Sequence, residues 1–343
     1  MEIDDALILN ARESDIYDQY PFYDRTDLAD MIDAVRIQRL NMRIILLGSN
    51  GMLGRYVHKL CVESKSCNEV VCITRCDFDF GQSSDTVVQY LSGLIQLNDV
   101  VINCIGMINK RESVSAEEQL QFFRINAVLP RLLAQVCYNN GGFLVHITTD
   151  CVYDGTGKGW MCQMDPHNSI DIYGMTKSLG DMAVKGYPMV ALLRTSIIGE
   201  DSNNRSLVEW VINEKNRAGS STIPGYTNHR WNGITCLKLA EIIVHAIYIP
   251  ITDLSHRYCT QANPMVENPF FGKETIIVSD RAVRKYDLIN TISKVYNIPY
   301  LVIPVEAPIE KNMQLSGTLK CKDSIEIQIQ KMYEFDVLNR RSI

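Results

Sequence analysis

Residues 43–59 read RIILLGSNGMLGRYVHK: five apolar-patterned positions, three glycines spaced GxxGxxG, then a segment of helical character. A strand that turns into a helix within so few residues needs glycine where the turn is tight and where another group must approach the backbone closely. The N-terminus of the helix then offers N–H groups and a partial positive charge to an anion, and a pyrophosphate is the anion that such loops cradle. A second apolar run about 20 residues on strengthens a dinucleotide-binding reading over an ordinary strand-to-helix turn.

The same alternation continues. Short β-rich runs at 43–47, 70–74, 100–104, 143–148 and 189–194 are separated by helix candidates near 52–64, 85–96, 117–139 and 173–185. Near-continuous apolar runs suit parallel strands buried on both faces, so the fold expected is α/β, a Rossmann-type doubly wound parallel sheet. After Thr195 the alternation gives way to Gly/Pro/Asn-rich loops, helix candidates near 204–216, 234–247 and 285–296, and short strands near 275–279 and 300–305. This predicts a smaller, interleaved C-terminal lobe for substrate. The organisation expected is residues 1–41 as an acidic appendage, 42–195 as the NAD(P)-binding domain, and 196–343 as mainly the substrate lobe, with part of it returning to the Rossmann domain. The appendage carries ten Asp/Glu against four Arg and offers no motif, though Leu28, Met31, Ile32 and Val35 have helical spacing. A chain beginning at Met42 is expected to keep the fold and the chemistry.

Composition narrows the partners. Lys and Arg number 34 against 40 Asp and Glu, a net charge of −6, so no basic excess exists to screen nucleic-acid phosphates. No apolar stretch reaches the roughly 18 residues of a membrane span. The 11 cysteines form no CxxC pair, and the six histidines share no metal-ligand spacing, so reduced thiols, no metal and a cytoplasmic setting are expected. Cys104 and Cys151 read as packing residues, and His146 as a core histidine. Oligomeric state is open, a homodimer being one option.

The second strand ends Thr74-Arg75, where sites that prefer NAD place an acid on the ribose. Arg75 suits a 2′-phosphate, which favours NADPH and leaves NADH as the lesser option. Asp79-Phe80 follow at a place suited to contact with adenine. Further on, Tyr173-Gly-Met-Thr-Lys177 puts a phenol and an amine on one helix face. An ammonium that lowers the phenol's pKa would let Tyr173 pass a proton to a carbonyl oxygen during hydride transfer. Thr149 ends the strand before it, 24 residues ahead of Tyr173, where hydroxyls face the crevice of such sheets.

Taken in order, the glycine loop, Asn103-Cys-Ile-Gly106, Asn126, Thr149-Asp150-Cys-Val152-Tyr-Asp-Gly155, the Tyr/Lys pair and Leu193-Arg-Thr195 resemble the extended short-chain dehydrogenase/reductase superfamily. Within it they are most similar to the dTDP-4-dehydrorhamnose reductase family and its relatives acting on UDP-linked sugars, from about Met42 to about Ser316. The resemblance implies an oxidoreductase that transfers hydride from NADPH to C4 of a nucleotide-linked 4-keto-6-deoxy sugar in deoxysugar biosynthesis, with Thr149, Tyr173 and Lys177 as catalytic residues. It implies cofactor contacts at Gly48, Asn50, Gly51, Met52, Leu53, Gly54, Arg75, Asp79, Phe80, Cys104, Ile105, Gly106, Asn126, Thr148, Tyr173 and Lys177. Substrate contacts are implied at Met107, Lys110, Asp150, Val152, Asn228 and Trp231. Arg194-Thr-Ser196 continues into Ile197, where an aromatic residue is common in the rhamnose enzymes, which leaves the identity of the sugar open. Two alternatives stay open: a bifunctional 3,5-epimerase/4-reductase, and a non-catalytic NADP-binding regulator. The latter is represented by the β subunit of methionine adenosyltransferase, whose stretch after the glycine loop is similar to Gly54-Arg-Tyr-Val-His-Lys59.

Overall fold

The structure, a computed structural model, describes residues 42–63, 67–108, 114–157, 159–201, 206–213, 221–248 and 268–340. The acidic appendage, with the amphipathic segment near 28–35, and Lys110 lie outside these residues.

Among the described residues the chain runs β1 (Arg43–Leu47), α1 (Gly54–Glu63), β2 (Glu69–Ile73), α2 (Ser84–Leu94), β3 (Val100–Asn103), α3 (Ala116–Phe122), a π-helical turn (Phe123–Val128) and α4 (Leu129–Asn140). It continues through β4 (Phe143–Thr149), α5 (Ile172–Val184), β5 (Val190–Thr195), β6 (Ile197–Ile198), α6 (Leu207–Asn213), β7 (Thr222–Tyr226), β8 (His229–Trp231), β9 (Ile234–Thr235) and α7 (Cys236–Tyr248). The last elements are β10 (Lys273–Val278), β11 (Val283–Arg284), α8 (Lys285–Val295), β12 (Leu301–Val305), β13 (Lys311–Met313), β14 (Leu319–Lys320) and α9 (Ile325–Arg340).

Seven strands form one sheet in the order β14-β10-β5-β4-β3-β1-β2, and every pairing in it is parallel. Strand periodicity explains why both faces are covered. Ile44, Leu46, Val100, Ile102, Phe143 and Val145 point into one core with Tyr56 and Val57 of α1, while Ile45, Leu47, Val101 and Leu144 point into the other with Leu91 of α2 and Leu133 of α4. The chain leaves β1 towards β2 on one side and towards β3 on the other, so the crevice opens at the carboxyl ends of β1 and β3, where ligands bind such sheets. The expected doubly wound architecture is the one observed. Smaller sheets, β11-β8-β13, β12-β7 and β6-β9, build the C-terminal part, and β10 and β14 return to the main sheet.

Two local features depart from the reading of the sequence. The single helix expected over 117–139 contains the π turn, which is followed by Pro130 in the first turn of α4; a widened turn accommodates a residue that has no N–H to give. Helix α9 carries polar residues nearly all round and gave no amphipathic signal, yet Ile325, Ile329, Met332 and Asp336 are buried. Asp336 explains its docking. Its carboxylate accepts from the Tyr56 hydroxyl at 2.6 Å and pairs with Arg55 at 3.1 Å, tying α9 to the helix that follows the glycine loop.

Removing that acceptor leaves the Tyr56 hydroxyl buried without it and Arg55 without its ion partner. Asp336→Ala is expected to cost about 2–3 kcal/mol in denaturant unfolding. A loss below about 0.5 kcal/mol, the scale of an ordinary surface substitution, would show that α9 is held by its apolar contacts alone.

Candidate active site

The glycine loop folds as its spacing demands. The N–H of Gly48 donates to the carbonyl of Ile73 at 2.8 Å, and that of Gly51 donates to the carbonyl of Gly48 at 2.9 Å. A Cβ on Gly54 would lie 2.1 Å from the Gly48 carbonyl oxygen, so only glycine lets α1 start this close to the end of β1. Gly51, Met52 and Leu53 consequently face a cleft of about 450 Å³.

Three further walls close on this cleft. After β3, Cys104, Ile105, Gly106 and Ile108 line it; the Asn103 side chain accepts from the Ile105 N–H at 3.0 Å, and Asn126 accepts from the Met107 N–H at 2.9 Å and donates to its carbonyl at 2.8 Å. The end of β4 contributes Thr148, Thr149, Asp150 and Cys151, and α5 contributes Tyr173 and Lys177. The far side is made by Thr195, Ser196, Ile197, Asp201 and Leu207. Helix α5 approaches because Asp171 caps it, accepting from the Gly174 N–H at 2.9 Å, and because a Cβ on Gly174 would stand 2.1 Å from the Cys151 carbonyl oxygen. That contact carries Tyr173 to the Thr149 turn, and both side chains line the cleft.

Burial governs the electrostatics. Lys177 is 4 % exposed and spends one proton on the Ile147 carbonyl at 2.8 Å. Desolvation pulls its amine down to about 8, with Asp181 opposing the fall and Arg194 adding to it. The expectation that Lys177 lowers the phenol does not describe this cleft. Desolvation, with Cys151, Asp150 and Asp181 nearby, pushes Tyr173 well above the usual tyrosine range, and the bond with Thr149 acts the other way. The phenol is therefore fully protonated at neutral pH, the state a proton donor needs. Burial also raises Asp150, against bonds from Ser196, Thr149 and Cys151. The Cys104 and Cys151 thiols are pushed up as well and stay protonated. Desolvation and Lys177 together keep His146 neutral; its Nδ1 meets the Asn103 amide at 3.1 Å.

The remaining candidates divide by position. The Thr148 hydroxyl is buried at the cleft without a hydrogen-bond partner, a group poised for a ligand. Asn50 and Arg75 are exposed on the loops beyond β1 and β2. Asp79 is exposed and accepts from the Gly81 N–H at 3.0 Å, and Phe80 is buried against Phe78 and Tyr90. Asn126 is buried behind the wall, where it shapes the 106–108 backbone rather than lining the cleft. Met107 is half-buried beside Gly106. Val152 is fully buried among Tyr153, Met161, Ile276, Val278 and Leu315, which leaves it no surface to offer a ligand. The Asn228 amide is engaged on both sides by the Ala307 backbone, at 2.8 and 3.0 Å, and Trp231 is half-buried against Gly233. Neither lines the cleft. Sequence reasoning missed Asp201 and Leu207 on the far wall, which carry no motif, and it quoted Ser196 within Arg194-Thr-Ser196 without assigning it to the site. It also missed Asp181, although its place four residues after Lys177 puts it on the same helix face.

An amine held near 8 when folded and at 10.5 when free loses its proton in the native state first, so its contribution to stability rises as pH climbs between these values. Lys177→Met is accordingly expected to melt higher than the wild type at pH 7, with the gap shrinking as pH rises towards 10. A gap that stays constant with pH would show that Lys177 is not desolvated.

Residues 42–223 match the family described as RmlD substrate binding domain. A dTDP-4-dehydrorhamnose reductase of Mycolicibacterium smegmatis is 28% identical over 152 residues, 43% of each chain. A dTDP-4-keto-6-deoxy-D-glucose reductase of Streptomyces niveus is 32% identical over 145 residues, 41% of this chain and 47% of the relative. The chain spans about half the length of the curated relatives it matches. Among solved structures, a dTDP-4-dehydrorhamnose reductase from Bacillus anthracis in complex with NADP superposes with a TM-score of 0.68 at 18% identity, covering 86% of this chain and 99% of that one. One from Clostridium acetobutylicum gives 0.67 at 22% identity, covering 87% and 100%. With more than half of its length inside the family match and the same fold around its cleft, the chain belongs to the RmlD substrate binding domain family, the dTDP-4-dehydrorhamnose reductase-like branch of the extended short-chain dehydrogenase/reductase superfamily.

Proposed function

We propose that the protein is an NADPH-dependent reductase of a UDP- or dTDP-linked 4-keto-6-deoxy sugar, with hydride delivered to C4 and Tyr173 as the proton donor. The observation that carries this reading is the convergence of Thr149, Tyr173 and Lys177 on the cleft into which the glycine loop opens. The names of the relatives, reductases of dTDP-4-keto sugars, support the substrate class.

The residues suit a dinucleotide. Gly51, with Met52 and Leu53 leading into α1, lines the cleft and suits a pyrophosphate, and the unpartnered Thr148 hydroxyl suits a ribose or amide group. Arg75 is exposed and pairs with no described carboxylate, which leaves its guanidinium for a 2′-phosphate. NADPH, when bound, supplies the hydride.

The chain's own residues do the rest. Thr149, which donates to Asp150 at 3.1 Å, has a hydroxyl that can turn to the C4 carbonyl oxygen and hold it. Tyr173 gives its proton to that oxygen as negative charge develops there. Lys177, charged beside the phenolate so formed, stabilises it until solvent returns the proton. The low dielectric that raises the phenol in the resting site also strengthens this attraction.

Tyr173→Phe keeps the ring and removes the proton, so turnover of a dTDP- or UDP-4-keto-6-deoxy sugar should fall at least ~100-fold with NADPH binding retained. Near-normal turnover would remove Tyr173 from its role. Arg75→Ala should weaken NADPH by roughly 1.5–3 kcal/mol and leave NADH nearly unchanged; equal losses for both would exclude a contact with the 2′-phosphate.

A further inference from the structure

From Lys177 at the cleft wall a buried cluster of four charged side chains runs back into the protein. Arg194 of β5 is fully buried. Its Nε donates to Glu274 of β10 at 2.5 Å, one terminal nitrogen donates to the carbonyl of Thr149 at 2.8 Å, and the other donates to Asp181 of α5 at 2.9 Å and lies 3.4 Å from His167. The guanidinium also sits over the Tyr153 ring, 5.8 Å from its centroid. Asp181 is 2 % exposed; one of its oxygens binds Arg194 and the other has no hydrogen-bond partner. One helical turn before it is Lys177, whose own hydrogen bond goes to a neutral carbonyl.

The charges of Arg194 and Lys177 balance those of Asp181 and Glu274. Buried charges persist only when compensated. Glu274 is held at the β10 side of Arg194, while Asp181, four residues after Lys177 on α5, is the carboxylate that acts on the amine. Of the groups around Lys177, Asp181 is the one that raises its amine against desolvation. On its own helix stands the protonated Tyr173; from β4 come neutral His146 and, beyond the phenol, Asp150 and the Cys151 thiol, both shifted towards their neutral forms by burial. From β5 comes Arg194, which repels.

We propose that Arg194 and Asp181 are positioning residues for the proton-transfer pair: Arg194 ties the Thr149 backbone to the helix that carries Tyr173 and Lys177, and Asp181 keeps the buried Lys177 ammonium charged. Arg194 can do this because its planar fork presents donors in several directions at once, which lysine cannot do. The inference rests on the reading of the cleft as a reductase site, since only there does a charged Lys177 have work to do.

Asp181→Asn is nearly isosteric, and its amide oxygen can still accept from Arg194, so what it removes is the charge. The direct readout is the ¹⁵Nζ resonance of Lys177, assigned by its loss in Lys177→Arg and followed through pH in the whole chain. The wild-type amine should be charged at pH 7. In Asp181→Asn the titration should move down by about one pH unit or more, whereas Asp181→Glu, which keeps the charge, should stay close to the wild type. Glu274→Gln should shift it far less, although it also removes a buried carboxylate from Arg194. A wild-type lysine already neutral at pH 7 overturns the inference even if Asp181→Asn does not fold. So does a titration that Asp181→Asn leaves in place, or one that Glu274→Gln moves equally. With a 4-keto sugar as substrate, the alkaline limb of kcat should follow the same shift. A shifted resonance in a protein that reduces no 4-keto sugar keeps the inference and removes the reductase reading; turnover with an unmoved resonance does the reverse.

Discussion

Everything at the cleft depends on a parallel sheet buried on both faces. Because β1, β3, β4 and β5 run the same way, their carboxyl ends meet along one edge, and the glycine loop, the 103–108 loop, the Thr149 turn and the Thr195–Ile197 segment all leave from there. Two close backbone approaches then set the geometry. Gly54 lets α1 begin against the Gly48 carbonyl, and Gly174 lets α5 begin against the Cys151 carbonyl. A methyl group at either place would push a helix outwards, and in the second case Tyr173 would withdraw from Thr149.

The second organising force is desolvation. The cleft buries an amine, a phenol and a carboxyl together, and each is driven towards its neutral form. A phenol that holds its proton firmly in the resting state is a poor base but a ready reservoir, and it acts as an acid only when negative charge appears in front of it. The cluster of Arg194, Asp181, Glu274 and Lys177 lets the amine remain an ion in this setting, and it joins the neighbouring elements α5 and β5 to β10, which is far from both in sequence.

The fold was legible because periodicity reports burial directly. The runs at 43–47, 100–104 and 143–148 are apolar on both faces, and they became strands buried on both faces within one or two residues of the expected bounds. Helix α9 was not legible, since its docking depends on one buried carboxylate meeting Tyr56 and Arg55, 280 residues away in sequence at the tyrosine, and no local pattern carries that information. The same division runs through the candidate site. Thr149, Tyr173 and Lys177 could be named because strand end and helical spacing place them, whereas Val152, taken from a contiguous motif, turned inwards, and Asn228 was absorbed by its own loop. Asp181 and Arg194 matter through tertiary charge balance, which a sequence read element by element does not display.

The central claim is that this cleft reduces a keto sugar, and isotope transfer tests it most directly. With NADPH carrying deuterium at its transferring carbon and a panel of dTDP- and UDP-linked 4-keto-6-deoxy sugars, mass spectrometry should find one sugar nucleotide product that has gained a single deuterium, located at C4, with an equivalent amount of NADP⁺. If the protein binds NADPH and no sugar of the panel acquires deuterium, the cleft holds a cofactor without using it, and the protein is a binding subunit rather than a reductase.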